Sequence, residues 1–158
     1  MNLKKVLMIP TSAVLLTAAA GMVQADDSLP VDRLDEILGY TSDFGFTHYQ
    51  EIAAEDGNRV EVEGWLDDEW FADVEFDLGT GNTVKEDRER MISGAWGMSE
   101  DDVRQAINVA SEEGMVEFEE IDIDQRGIID IEGHNDMGRD LEVSVTQDTY
   151  ELTAIDRD

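Results

Sequence analysis

The feature that most limits what this chain can fold into is an internal repeat. Sliding the 158-residue sequence over itself by 69 positions lays residues 31–89 on 100–158 without a gap. Acidic matches are common in so acidic a chain, so the apolar register is the better guide. Leu34 meets Val103, Leu38 meets Ile107, and Tyr49 meets Phe118. Val60 and Val62 meet Ile129 and Ile131, and Phe76 meets Val145. A one-residue slip turns a strand inside out, so a shared register implies that the two stretches fold alike.

Each copy opens with a helical stripe. Val31, Leu34, Leu38 and Thr41 mark one face in the first copy, with Ile37 beside it, and Ser28 and Pro30 are candidate start signals. In the second copy "SEDD" (99–102) is a capping-box pattern ahead of Val103, Ala106, Ile107 and Ala110. Gly45 and Gly114 are placed to stop the two helices.

Strands follow. In "THYQEIAA" and "VEFEEIDI" the aromatic and the isoleucine are three apart rather than two, which predicts a bulge at the same place in each. "RVEVEGW" and "IIDIEGH" alternate apolar and acidic residues, one face buried and one wet. Third strands place Ala72, Val74 and Phe76, and Leu141, Val143 and Val145, inward; short last strands are expected at "NTVKED" and "YELTAID". Gly64 and Gly133 mark a bend or a close neighbour. The expected fold class is α+β, with two tandem repeats, each one helix packed on a three- to four-stranded antiparallel sheet. The repeats span 26–90 and 99–158, joined by a linker at 91–98 with Trp96 at the junction. Such units have thin cores, so they are expected to pack together or to share one sheet.

Residues 1–25 read as a signal peptide: Lys4 and Lys5, an apolar run, then Val23-Gln24-Ala25 as a cleavage site after Ala25. This predicts a periplasmic or secreted product, with no membrane association after cleavage. The chain has 39 acidic and 11 basic residues, and a leader that removes two lysines leaves a net charge of −30. Such a surface repels nucleic acid and anionic lipid, attracts cations non-specifically, and suits a salty habitat. There is no cysteine, so stability rests on burial and hydrogen bonding.

Enzyme signals are thin. His48 and His134 are the only histidines, at different stages of the two copies, and no serine is singled out beside either. No histidine pair has metal spacing, so no catalytic residue, metal site or cofactor is expected. Carboxylates at "DDEW" (67–70), "DID" (122–124) and "HND" (134–136) offer oxygen ligands for calcium, yet none fits a calcium-loop pattern. Parity along the strands points Trp65 and Phe71 outward as a candidate partner-binding pair, and Trp70 inward. Packing between the copies, or a cross-strand pair shielding the turn, is the alternative reading of Trp65 and Phe71.

The unit resembles the PepSY domain. "RVEVEG" (59–64), "LDDEW" (66–70), "ADVEFD" (72–77) and "GTGNTVKE" (79–86) carry the resemblance in the first copy. "IIDIEG" (128–133), "NDMG" (135–138) and "LEVSVT" (141–146) carry it in the second, where "TQDTYEL" lacks the Thr-Gly pair of the family's last turn. The resemblance implies an exported, non-enzymatic protein-binding module that inhibits or regulates a peptidase. An acidic, calcium-binding envelope protein is the alternative.

Overall fold

The computed structural model describes residues 27–158; the signal-peptide reading lies outside them. A short strand β1 (Leu29–Pro30) leads through one 3-10 turn into α1 (Leu34–Phe44). Four strands follow: β2 (His48–Glu55), β3 (Arg59–Trp65), β4 (Trp70–Asp77) and β5 (Thr83–Arg90). After the linker come α2 (Glu100–Glu112), β6 (Met115–Ile123), β7 (Ile128–Asn135), β8 (Asp140–Thr146) and β9 (Leu152–Arg157).

Local chemistry accounts for these elements. The expected α1 stripe is buried at Leu34, Ile37, Leu38 and Thr41, and the α2 stripe at Val103, Ala106, Ile107 and Ala110. Ser99 and Asp102 form a reciprocal capping box at the start of α2. Gly45 ends α1 at φ 118° and Gly114 follows α2 at φ 106°, a region where a Cβ is costly. Ser28 does not cap α1; its hydroxyl reaches the Glu117 carboxylate on β6. The predicted bulges are present: register shifts between Tyr49 and Glu51 and between Phe118 and Glu120. Each bulge presses against a glycine on the next strand. A Cβ on Gly64 would lie 2.2 Å from the His48 carbonyl oxygen, and one on Gly133 would lie 2.1 Å from that of Glu117.

The expected fold class is corrected by the sheet. The chain does not make two units, each a helix on its own sheet. Among the described residues it makes one nine-stranded antiparallel sheet in the order β5-β4-β3-β2-β6-β7-β8-β9, with β1 beside β6, and two short α-helices. Two separate sheets would leave β2 and β6 as edges with unpaired backbone groups. Pairing β2 with β6 satisfies those groups and merges two thin cores into one.

The seam has its own symmetry. Ile52 lies opposite Ile121, its counterpart in the repeat. Leu29 lies opposite Phe118, and the equivalent pair, Met98 and Tyr49, bridges on the other side. Between the helices, Arg104 donates to Asp35, also its own counterpart 69 residues away, at 3.0 Å. A local two-fold axis therefore runs through Ile52 and Ile121, and the segment before each helix reaches across to the other half. One continuous hydrophobic cluster joins both helices to the inward faces of both halves.

Candidate functional site

Because the core lies on one side of the sheet, the other face carries no helix among the described residues. Period-2 alternation puts the acidic half of each strand there, and the register lines those acids up across strands. Asp87, Asp73, Glu63, Glu51, Asp122 and Asp130 face one another in turn on β5, β4, β3, β2, β6 and β7. A second row runs Lys85, Glu75, Glu61, Ala53, Glu120, Glu132, Glu142 and Asp156, from edge to edge. Neighbouring strands are about 4.8 Å apart, and like charges directly opposite each other are destabilising.

The electrostatic consequence is clearest at the seam. Burial, then repulsion from Glu120, Glu63, Asp122 and Glu61, pushes the Glu51 carboxyl up to about 7. Burial, then Asp130, Glu120 and Glu132, pushes Asp122 up to about 6. Burial also raises Glu120, with Glu132 adding to it, and raises Glu61, with Asp73 adding to it. Few cations relieve this face. Lys85 Nζ lies 3.1 Å from Asp73 and 3.7 Å from Glu61. Arg59 pairs with Glu75, and the Ser144 hydroxyl donates to Asp130.

Glu61, Glu63 and Asp73 bring carboxylate oxygens within 4.8 Å of one another and could hold a cation. The second oxygen of Asp73 is buried without a hydrogen-bond partner. The acids singled out for calcium are differently engaged. Asp67 accepts from the backbone N–H groups of Glu69 and Trp70. Asp124 accepts from those of Arg126 and Ile128, and Asn135 from those of Met137 and Arg139. These side chains build the turns of their own hairpins. Only Asp122 of that set faces the acidic rows.

The aromatic pair meets a different fate from the one expected. Trp65 and Phe71 are neighbours across β3 and β4, with rings 5.6 Å apart and edge to face. Trp65 is nevertheless fully buried, and Phe71 half-buried. With its amide turned so that the oxygen faces the two indoles, Gln50, the extra residue of the bulge, accepts from both Trp65 Nε1 and Trp96 Nε1 at 3.0 Å. The linker tryptophan thus sits beside Trp65, which lies at the end of the open face rather than in the main core. Trp65 as it stands offers no free ring to a partner. Trp70 has inward parity, but at the first position of β4 it lies outside the core cluster and is 40% exposed.

The histidines stay apart, in different halves of the sheet. His48 is half-buried and contacts Thr47. His134 Nε2 lies 3.1 Å from Glu119 and 3.3 Å from Asp140, with no serine among these contacts. The acid rows were present in the sequence as alternating acids, but which acids face each other depends on strand order across the seam.

No family model matches the chain, and no curated protein matches it. Among solved structures, the crystal structure of a "putative lipoprotein" from Clostridium difficile 630 is similar, with a TM-score of 0.46 and 15% identity. The match covers 87% of this chain and 98% of that one. No helix among the described residues is long and apolar enough to cross a membrane.

Proposed function

We propose that this chain is an exported, non-enzymatic protein-binding module that docks a basic protein surface on the open acidic face of its sheet. One observation carries the reading: the rows of carboxylates from β5 to β9, half-buried on the central strands and exposed toward the edges, which repel one another until a cationic surface meets them. Charge complementarity names the chemistry of the partner, a patch of lysine and arginine side chains. An open sheet face, with no helix over it among the described residues, suits a protein surface better than a small substrate. Export rests on the leader sequence. Regulation or inhibition of a peptidase is the form of binding that the PepSY resemblance supports, and the face is available for it.

The test begins with capture from the native envelope fraction at about 0.15 M and about 1 M salt, where the Debye length falls from about 8 to 3 Å. Each captured protein is then titrated directly against the wild type and against Glu51→Gln/Glu63→Gln/Asp122→Asn. The expected result is a basic partner whose affinity falls at least tenfold in the triple variant. A partner that binds both equally well sinks the assignment to this face. Unchanged turnover of a captured peptidase at saturating module sinks the inhibitory reading alone.

A second reading, cation binding, is favoured by the approach of Glu61, Glu63 and Asp73. Calorimetry with calcium at about 0.15 M salt, where diffuse attraction is screened, would give a saturable heat if it holds and none if it does not.

A further inference from the structure

The two ends of the sheet, β5 and β9, are related by the repeat, yet only β5 carries a run of mixed charges. Its sequence from Thr83 to Arg90 is TVKEDRER, and all eight residues are exposed. Three acids and three bases cancel there, in a chain whose formal net charge is −28. The equivalent stretch of β9 reads LTAIDR. On its inner side β5 pairs with β4 through Arg90, and a register shift beside Val84 bounds the regular run to 85–90. Its outer side pairs with no described strand.

An unpaired edge is a template for another strand, and charges normally protect it. They protect against strands that do not match. An antiparallel copy of the same strand, turned about a two-fold axis normal to the sheet, must place residues of equal parity opposite one another. Centring that axis on Asp87 puts Lys85 opposite Glu89 and Glu86 opposite Arg88, each pair occurring twice. Asp87 facing its own copy is then the one directly opposed like-charge pair, with Lys85 and Glu89 of the other copy both diagonal to it. Centring on Glu86 or Arg88 keeps fewer matched pairs and puts Glu86 or Arg88 against itself.

We propose that β5 is a self-association edge: two copies of this chain join β5 to β5 in antiparallel register about Asp87, making one continuous sheet. The axis is normal to the sheet, so both helical layers fall on one side and both acidic faces on the other. Dimerisation would double the acidic surface without covering it. Strand addition supplies backbone hydrogen bonds, and the charge pairs select the register. Overall repulsion between two acidic bodies opposes association, so the dimer should tighten as salt screens it.

Sedimentation velocity on the purified chain at about 0.15 M and about 2 M sodium chloride tests this, the higher salt screening all but contact distances. The expected result is a concentration-dependent dimer, stronger at high salt. Arg88→Glu turns both Glu86–Arg88 contacts repulsive and should weaken the dimer about tenfold or more. Glu86→Arg combined with Arg88→Glu restores both contacts and should restore the dimer. Lys85→Glu, rescued by Glu89→Lys, repeats the test on the opposite face of the sheet and stands in if either Arg88 variant misfolds by circular dichroism. A monomer at both salts overturns the proposal. So does a dimer indifferent to the single changes, or folded double variants that fail to re-form it.

Discussion

Replacing Glu51 with glutamine should stabilise the fold at pH 8 and change it little at pH 5. Glu51 sits on β2 at the seam, opposite Glu63 on one side and Asp122 on the other. Its folded pKa, about 7, lies above the ordinary 4.5, so the folded chain holds the proton longer than the unfolded chain does. Its favourable contribution is complete below about 4.5 and is lost as pH rises toward about 7. Above that range the folded state carries an ionised, half-buried carboxylate among Glu61, Glu63, Glu120 and Asp122. The shift corresponds to about 3 kcal/mol at most. The group retains contact with water, so screening reduces this to about 1–2 kcal/mol. Glutamine keeps the shape and removes the charge, so the gain at pH 8 should be about 1–2 kcal/mol, or roughly 3–10 °C in Tm. At pH 5 the folded glutamate is mostly protonated already, and the gain falls to about a few tenths of a kcal/mol. Thermal unfolding of both proteins across pH 5–8, followed by circular dichroism, measures the difference. A glutamine variant no more stable than wild type at pH 8, or equally stabilised at both pH values, would refute the idea that the acid rows store repulsion.

Three further outcomes follow from packing. Gly133→Ala drives a Cβ into the Glu117 carbonyl at the β6 bulge and should cost about 2–3 kcal/mol in denaturant unfolding; a neutral result means the bulge yields. Trp65→Ala removes a fully buried ring and its bond to Gln50, so it should lose about 3–5 kcal/mol of stability. If that variant instead keeps its stability and loses a partner, Trp65 is an anchor after all. Ser99→Ala breaks the capping box of α2 and should cost about 1 kcal/mol, read as a lower urea midpoint.

Much of the local structure was legible in the residues. The buried stripes of α1 and α2, the capping box at Ser99, and the inward positions of β4 and β8 follow from periods of 3.6 and 2. The bulges were legible because Tyr49 and Ile52, like Phe118 and Ile121, are both buried while breaking the period-2 rule. The fates of Trp65 and Trp70 were not. Parity places Trp65 on the face away from the helices, but parity carries no information about a linker folding back with Trp96. Trp70 has the parity of a core residue, yet the core ends before it. In both cases burial depends on what a distant segment covers, and no local pattern records that.

The candidate site divides along the same line. Alternating acids at 61, 63, 73, 75, 120, 122, 130 and 132 announce wet strand faces by themselves. Whether those acids are scattered or aligned depends on which strands are neighbours. Two separate sheets would have kept Glu51 and Asp122 apart. The backbone of β2 and β6, each left with an unpaired edge by its own meander, joined instead, and the repeat ensured that the join was symmetric. Sequence alone determined the helices, strands, bulges and charge, because each depends on neighbours a few residues away. Only the tertiary structure decided that the sheet is continuous and that its acids form rows, because that choice was made by hydrogen bonding between Glu51–Ala53 and Glu120–Asp122, far apart in the chain.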